Sequence, residues 1–246
     1  MIISLSKLDT ERFGIQSARA SGIKHDDILD VLTYCKANSV RFLIARCNAA
    51  DIATVQEMES AGFRLMDTQV CYVHNLKSIQ KDKREDNIII RELDPATETR
   101  LVEKISAIGF KNYNGHYHND TMLNIDECNR TYEDWGYRVC HDKLAADKVF
   151  VAEDKGKIVG FVAVRLNNDK DGEGVLSSIL PEYQGKGIYR SLIIEALNWI
   201  AGQKKERMIV STQITSIAVQ KVWVRLGFEP SIDNAFYTFH KHFERY

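Results

Sequence analysis

The sequence predicts a mixed α/β protein built as two units, and three observations carry that prediction. Apolar runs of strand length alternate with stretches whose apolar residues recur at helical spacing. Two strands, 149–152 and 158–164, are joined by Lys155-Gly156-Lys157 and read as an antiparallel hairpin inside an otherwise alternating pattern, so the sheet is expected to be mixed. The stretch 77–87 is almost wholly polar, with charges of both signs and apolar runs on either side, and reads as a linker. The expected division is a small α/β domain over 1–76, a linker over 77–87 and a larger domain over 88–246.

In the first unit, Ile28, Leu29, Leu32 and Cys35 follow His25-Asp26-Asp27 at near-helical spacing. Residues 41–45 read as a buried strand, 51–61 as a helix stopped by Gly62, and Phe63 begins a strand ending near Leu76. In the second unit, 88–90 is a strand and Pro95 opens a helix at its first turn. The stretch 111–147 is polar, rich in aromatic and histidine residues, and reads as an insert before the hairpin. A third strand, 174–180, then runs into Pro181, and a helix follows over about 187–202. Strand 208–212, helix 216–226 and strand 236–239 close the chain.

The two halves echo one another. Arg41-Phe42-Leu43-Ile44, Ala61-Gly62-Phe63 and Tyr72 parallel Arg207-Met208-Ile209-Val210, Leu226-Gly227-Phe228 and Tyr237. Shared strand–helix–strand architecture and a degenerate half-copy both account for the echo.

A formal net charge of −1 argues against a general polyanion binder such as a non-specific DNA protein, and leaves room for a local basic patch that holds one small phosphate ligand. The start, Met1 to Ser6, lacks the apolar segment of a signal peptide, and the apolar helical stretch 191–200 is too short to span a bilayer. Five cysteines without a CxxC pair argue against a disulfide framework. The expectation is a cytoplasmic protein, monomer or homodimer, without membrane insertion.

The most informative stretch is Ile179-Leu180-Pro181-Glu182-Tyr183-Gln184-Gly185-Lys186-Gly187-Ile188-Tyr189-Arg190. It joins a strand to a helix, and its glycines let backbone N–H groups approach an anion at the positive end of the helix dipole. A tight connection with no ligand is the plain alternative. A Walker loop needs Gly-Lys-Ser/Thr at a longer glycine spacing, and a dinucleotide fingerprint needs a parallel strand–helix–strand unit. Neither is present.

Antiparallel strands, then Gln184-Gly185-Lys186-Gly187-Ile188, a long helix, a strand and a helix ending Leu226-Gly227-Phe228 resemble the GNAT superfamily of acyl-CoA-dependent N-acyltransferases. The resemblance covers about 88–242. Its Gln/Arg-x-x-Gly-x-Gly/Ala signature falls on Gln184, Gly187 and Tyr189, with tyrosine where a small residue is usual. It implies a GNAT-like C-terminal domain. It further implies acyl-CoA as co-substrate, no metal, and donor contacts from Ile179, Pro181, Gln184, Gly185, Lys186, Gly187, Ile188, Tyr189, Ser216 and Trp223. The backbone amide of Ile179 or a neighbour would hold the carbonyl oxygen. The family's helix motif Asn-x-x-Ala-x-x-x-Tyr becomes Ser216 to Trp223. The tyrosine that would protonate the departing sulfur is therefore replaced by an indole, whose N–H is not acidic. Trp223 is read either as a wall for the pantetheine arm or as core.

Phe13-Gly14-Ile15, Ser211-Thr212-Gln213 and Tyr237-Thr238-Phe239-His240 further resemble the nucleotide-sugar N-acyltransferases, including the dTDP-fucosamine acetyltransferases, which serve lipopolysaccharide biosynthesis. The implied reaction moves an acetyl or short hydroxyacyl group, such as hydroxybutanoyl, to the amine of a dTDP-linked amino-deoxysugar in a ternary complex. Tyr113, His116, Tyr117, His118, Tyr132, Trp135, Thr212, Gln213, Asn234 and Tyr237 are the candidate acceptor contacts. A histidine suits the base, and Asp120 favours His118 over His116. His116, His118 and Asp120 also suggest a metal site, but no further ligand cluster accompanies them in sequence. Rival readings are acylation of a protein, polyamine or aminoglycoside amine, and a non-catalytic acyl-CoA-binding regulator.

Overall fold

The computed structural model describes residues 1–82, 87–111 and 113–244, except the side chain of Asn234. The chain runs β1 (Ile2–Leu5), α1 (Lys7–Phe13), β2 (Ser17–Ile23), α2 (Ile28–Ala37), β3 (Phe42–Asn48), α3 (Ile52–Ser60), β4 (Arg64–Asn75), β5 (Ile89–Glu92) and α4 (Pro95–Gly109). It continues with α5 (Ile125–His141), β6 (Lys148–Asp154), β7 (Lys157–Leu166), β8 (Asp171–Ile179), α6 (Ile188–Gly202), β9 (Arg207–Gln213), α7 (Ile217–Leu226), β10 (Glu229–Pro230) and β11 (Phe236–His242). The expected mixed α/β class is the observed one. No helix among the described residues is long and apolar enough to cross a membrane.

Local chemistry sets the element ends. Asp94 caps α4 by accepting from the Ala96 N–H, with Pro95 in the first turn, and Asp51 caps α3 by accepting from the Thr54 N–H. Lys155 and Gly156, both at positive φ, form the two-residue turn of the β6–β7 hairpin.

The chain divides into two compact units. The first comprises Met1–Val70, Asn114–Cys128 and Ser231–Tyr246. Its strands follow the order β1, β2, β3, β11 and the first half of β4. The β2–β3 pair is parallel, and β11 runs antiparallel to both β3 and β4. Its main core gathers Ala18, Val31, Cys35, Leu43, Met58 and Phe239.

The second unit comprises Cys71–Tyr113 and Asn129–Pro230. Its order is β5, β6, β7, β8, β9 and the second half of β4, with β10 beside β4. The β5 to β8 pairs are antiparallel and β8–β9 is parallel. Its core runs from Val102 and Phe161 through Leu192, Leu197 and Met208 to Trp223 and Phe228.

The echo between the halves is present for strand and helix but not for its closing tyrosines, since Tyr237 lies on β11 in the first unit and Tyr72 on the part of β4 that belongs to the second. In the first unit β3 and β4 flank α3 and are separated by β11; in the second, β9 and β10 flank α7 and are separated by β4.

Three expectations change. The first unit is not a contiguous 1–76 segment, because β11 forms the middle of its sheet and 114–128 packs with it. The described part of the expected linker 77–87 is anchored: Ile79 packs on the core, and Gln80 bonds the Arg225 carbonyl and Arg190. Residues 83–86 lie outside the described residues. The 111–147 insert contains the helix α5, whose side chains at 128, 132, 135 and 139 follow helical spacing.

Candidate functional site

The glycine loop lies between β8 and α6 of the second unit. Gly185 and Gly187 take φ of 75° and 79°, and a Cβ on either would meet nothing within 4 Å. The glycines are therefore required for backbone direction, and the space beside them is open. Gly187 is the N-cap of α6 and supplies no side-chain cap. The first N–H to find a helical acceptor is that of Ser191, which bonds the Gly187 carbonyl at 3.2 Å. Helix geometry thus leaves the N–H groups of Ile188, Tyr189 and Arg190 without an intrahelical partner, at the positive end of a 15-residue helix. Lys186 lies over the Tyr183 ring at 4.8 Å, and Arg190 pairs with Asp82 at 3.5 Å.

The loop opens onto a gap in the sheet. β8 and β9 pair only from Asp171 with Arg207 to Gly174 with Val210, and beyond that the register ends. On its other side β8 stays paired to β7 through Gly160 opposite Ile179. The Leu180 N–H donates to the Val159 carbonyl at 2.9 Å, and antiparallel bonding alternates. The N–H and C=O groups of Ile179 and Ser177 therefore point away from β7, to the side where β9 has parted. The Ile179 carbonyl is taken by the Gln184 Nε2–H at 3.1 Å, which ties the loop back to the strand end.

Side chains fill part of this gap. The Trp223 Nε1–H donates to the Tyr189 hydroxyl at 2.9 Å, and that hydroxyl also shares a hydrogen bond with Ser177. Trp223 is thus both core, at 3% exposure, and a donor to a polar group. Burial pushes the Tyr189 phenol up to about 12, against the pull of Ser177 and Trp223. Tyr113 donates to Gln213 Oε1, so these two expected acceptor contacts are brought together. Tyr132 is buried against Phe110 and Tyr113, with Trp135 packed beside it, and Thr212 is buried. Ser216 precedes α7 as an N-cap without a side-chain bond, and Pro181 begins a 3-10 turn between β8 and Gln184.

His116, Tyr117, His118 and Tyr237 fall in the first unit, as does Asn234, whose side chain lies outside the described residues. Tyr117 is buried; its O–H donates to Asp9 at 2.7 Å and its oxygen accepts from Arg19 at 2.7 Å, so a hydrogen-bonded core role accounts for it. Asp120 has histidine partners that the sequence did not suggest. Asp120 Oδ2 meets His240 Nδ1 and His242 Nε2, each at 2.7 Å, and His240 Nε2 meets His116 Nδ1 at 2.8 Å. Burial opposes the Asp120 charge, yet the two histidine bonds hold its carboxyl well below the usual range. Burial and the neighbouring His240 keep His116 far below 6.5 and hence neutral. Asp120 thus has the further ligand-type neighbours that appeared missing. Their 2.7 Å separations suit shared protons, whereas ligands around a tetrahedral zinc would stand about 3.3 Å apart.

Residues 112–228, just under half of the chain, match the model for the Acetyltransferase (GNAT) family, the stretch that holds the gap, the uncapped helix and the glycine turn. Among solved structures, the chain is similar to a GCN5-related N-acetyltransferase from Sphaerobacter thermophilus: TM-score 0.67, 13% identity, covering 98% of this chain and 76% of that one. It is also similar to a tandem GNAT protein from the clavulanic acid biosynthesis pathway, with TM-score 0.62 and 12% identity over 93% of this chain and 76% of that one. At these identities the likeness is one of fold, and it extends over both units. Among curated proteins, it is 23% identical over 124 residues to the spore coat polysaccharide biosynthesis protein SpsD of Bacillus subtilis (strain 168). That alignment covers 50% of this chain and spans 41% of the relative.

Proposed function

We propose that this chain is an acyl-CoA-dependent N-acyltransferase whose acceptor is the amine of a nucleotide-linked amino-deoxysugar. The observation that carries the donor half is the uncapped N-terminus of α6, set behind two positive-φ glycines and facing the gap between β8 and β9. A pyrophosphate fits the free amides of Ile188, Tyr189 and Arg190. The pantetheine arm then fits the gap, where unpaired strand backbone can bond its amides. The Ile179 N–H points into the same gap, where it can hold the oxyanion formed when an amine attacks the thioester carbonyl. The acceptor half is supported by the polysaccharide role in the name of SpsD and by the polar pair Tyr113 and Gln213 beside the end of β9.

The test is thiol release by the purified chain from acetyl-CoA and a short hydroxyacyl-CoA. The acceptor panel is dTDP- and UDP-linked amino sugars, a peptide with a free N-terminus, a polyamine and an aminoglycoside. Turnover with an amino sugar is expected. Turnover confined to the peptide, polyamine or aminoglycoside would overturn the acceptor, and CoA binding without turnover on any acceptor would instead mark a regulator.

A further inference from the structure

We infer that the Tyr189 phenol, held by Trp223 and Ser177, is the proton donor to the thiolate that leaves when the acyl group is transferred. This rests on the acyl-CoA reading above and deepens it.

The geometry begins with position. Tyr189 stands in the first turn of α6, one residue beyond Ile188, so its backbone belongs to the phosphate-binding turn while its side chain reaches into the same unit's interior. The side chain is half-buried, and its hydroxyl lies deep, between β8 and α7. Ser177, its partner on β8, is two residues from Ile179, and the backbones of both face the gap. A thioester held at the Ile179 N–H therefore stands two residues along β8 from the side chain that the phenol bonds, and the side chains of 177 and 179 share one face of the strand.

The partners are also the right kind. The indole N–H can only donate, so it fills an acceptor site of the phenol oxygen and leaves the phenolic proton available. Once that proton has gone, the phenolate keeps two donors, the Trp223 N–H and the Ser177 O–H. Tyr113 is near enough to oppose ionisation of Tyr189, but its own O–H is committed to Gln213 Oε1.

Burial raises the Tyr189 phenol to about 12, so at neutral pH it is protonated and has a proton to give. In the step, the amine nitrogen bonds the carbonyl carbon and the C–S bond breaks with its electron pair on sulfur. Sulfur then takes the phenolic proton to become CoA thiol. The amine releases one proton to solvent on becoming an amide, and solvent returns one to the phenolate.

The experiment titrates the thiol of CoA bound to the full chain, followed by ultraviolet absorbance of the thiolate, with CoA affinity measured separately by calorimetry. In wild type the Tyr189 O–H stabilises the bound thiolate. Tyr189→Phe is expected to lower the thiolate fraction at pH 8.5 at least threefold while CoA affinity changes less than threefold. Trp223→Phe is expected to shift the titration in the same direction by less. With an acceptor that turns over, Tyr189→Phe should lower kcat about 10- to 100-fold with KM for acyl-CoA unchanged. An unshifted titration in Tyr189→Phe, or a shift in Tyr113→Phe instead, would overturn the assignment while leaving the acyl-CoA reading intact. A wild-type chain that does not bind CoA would remove that reading, and this inference with it.

Discussion

At the scale of single residues, the two loop glycines carry a prediction because their surroundings are empty. Gly187→Ala meets no neighbour, so its cost is the left-handed backbone alone, about 1 kcal/mol. Relieving that strain turns the amides of Ile188 and Tyr189, and CoA affinity should fall about tenfold, since ~1.4 kcal/mol is a factor of ten. Gly14→Ala, at φ 64° with equally open space at the end of α1, should lose similar stability and no CoA affinity. Calorimetry on the two variants separates backbone strain from site geometry; equal losses of affinity would refute a special role for the loop. The glycine spacing was readable because glycine takes a positive-φ turn at no steric cost and is favoured there. The Tyr189–Trp223 bond was not, since a contact between residues 34 apart depends on how α7 packs. The same holds for Asp9, fully buried and bound to Arg19 by paired hydrogen bonds at 2.5 and 2.8 Å. Arg19→Met removes the main cation beside that charge, leaving it Ser6, Tyr117 and, at 4.0 Å, Arg12, and should cost about 1–3 kcal/mol, read as a lower urea midpoint.

Among the elements, the β7–β8 pair sets the site's rigidity. A Cβ on Gly160 would lie 2.3 Å from Ile179 Cδ1 and 3.0 Å from the Ser178 carbonyl oxygen, so the Ile179 side chain must swing aside and the strand beside its N–H must give by a few tenths of an ångström. Gly160→Ala should therefore lower both thermal stability and kcat, whereas Gly156→Ala, at φ 82° in an open turn, should lower stability alone. A Gly160→Ala enzyme with unchanged kcat would show that the Ile179 amide does not serve the carbonyl. Hairpin, caps and α6 were legible because turn chemistry and helical periodicity are local. Helix α5 was passed over because polar side chains cover all but the narrow stripe through 128, 132, 135 and 139, and the histidines before it drew the reading toward a loop.

For the first unit as a whole, stability should depend on pH through the cluster around Asp120. Burial depresses His240, despite the opposing pull of Asp120, and depresses His116 further. In the unfolded chain both return to about 6.5 and take up protons more readily than in the fold. Their contribution is complete above pH 6.5 and is lost as pH falls from there toward the folded values. The urea midpoint should fall between pH 7.5 and 5.5, and His116→Phe should flatten that slope. A slope unchanged by the variant would assign the dependence elsewhere.

The boundary of the first unit escaped the sequence for a related reason: strand partners distant in the chain leave no local mark. β11 contributes hydrogen bonds to β3 on one side and β4 on the other, and Phe239 and His240 within it are fully buried. A fragment of residues 1–76 would expose both facing edges, together with the core that Phe239 covers, and unpaired buried backbone is costly. That fragment should lack dispersed amide resonances and a cooperative thermal transition. Joining 231–246 to it through a flexible linker should restore both in part, because the missing strand is returned at high effective concentration. Cooperative unfolding of 1–76 alone would mean that β3 and β4 can pair directly, and that the strand between them is an addition to the unit and not its centre.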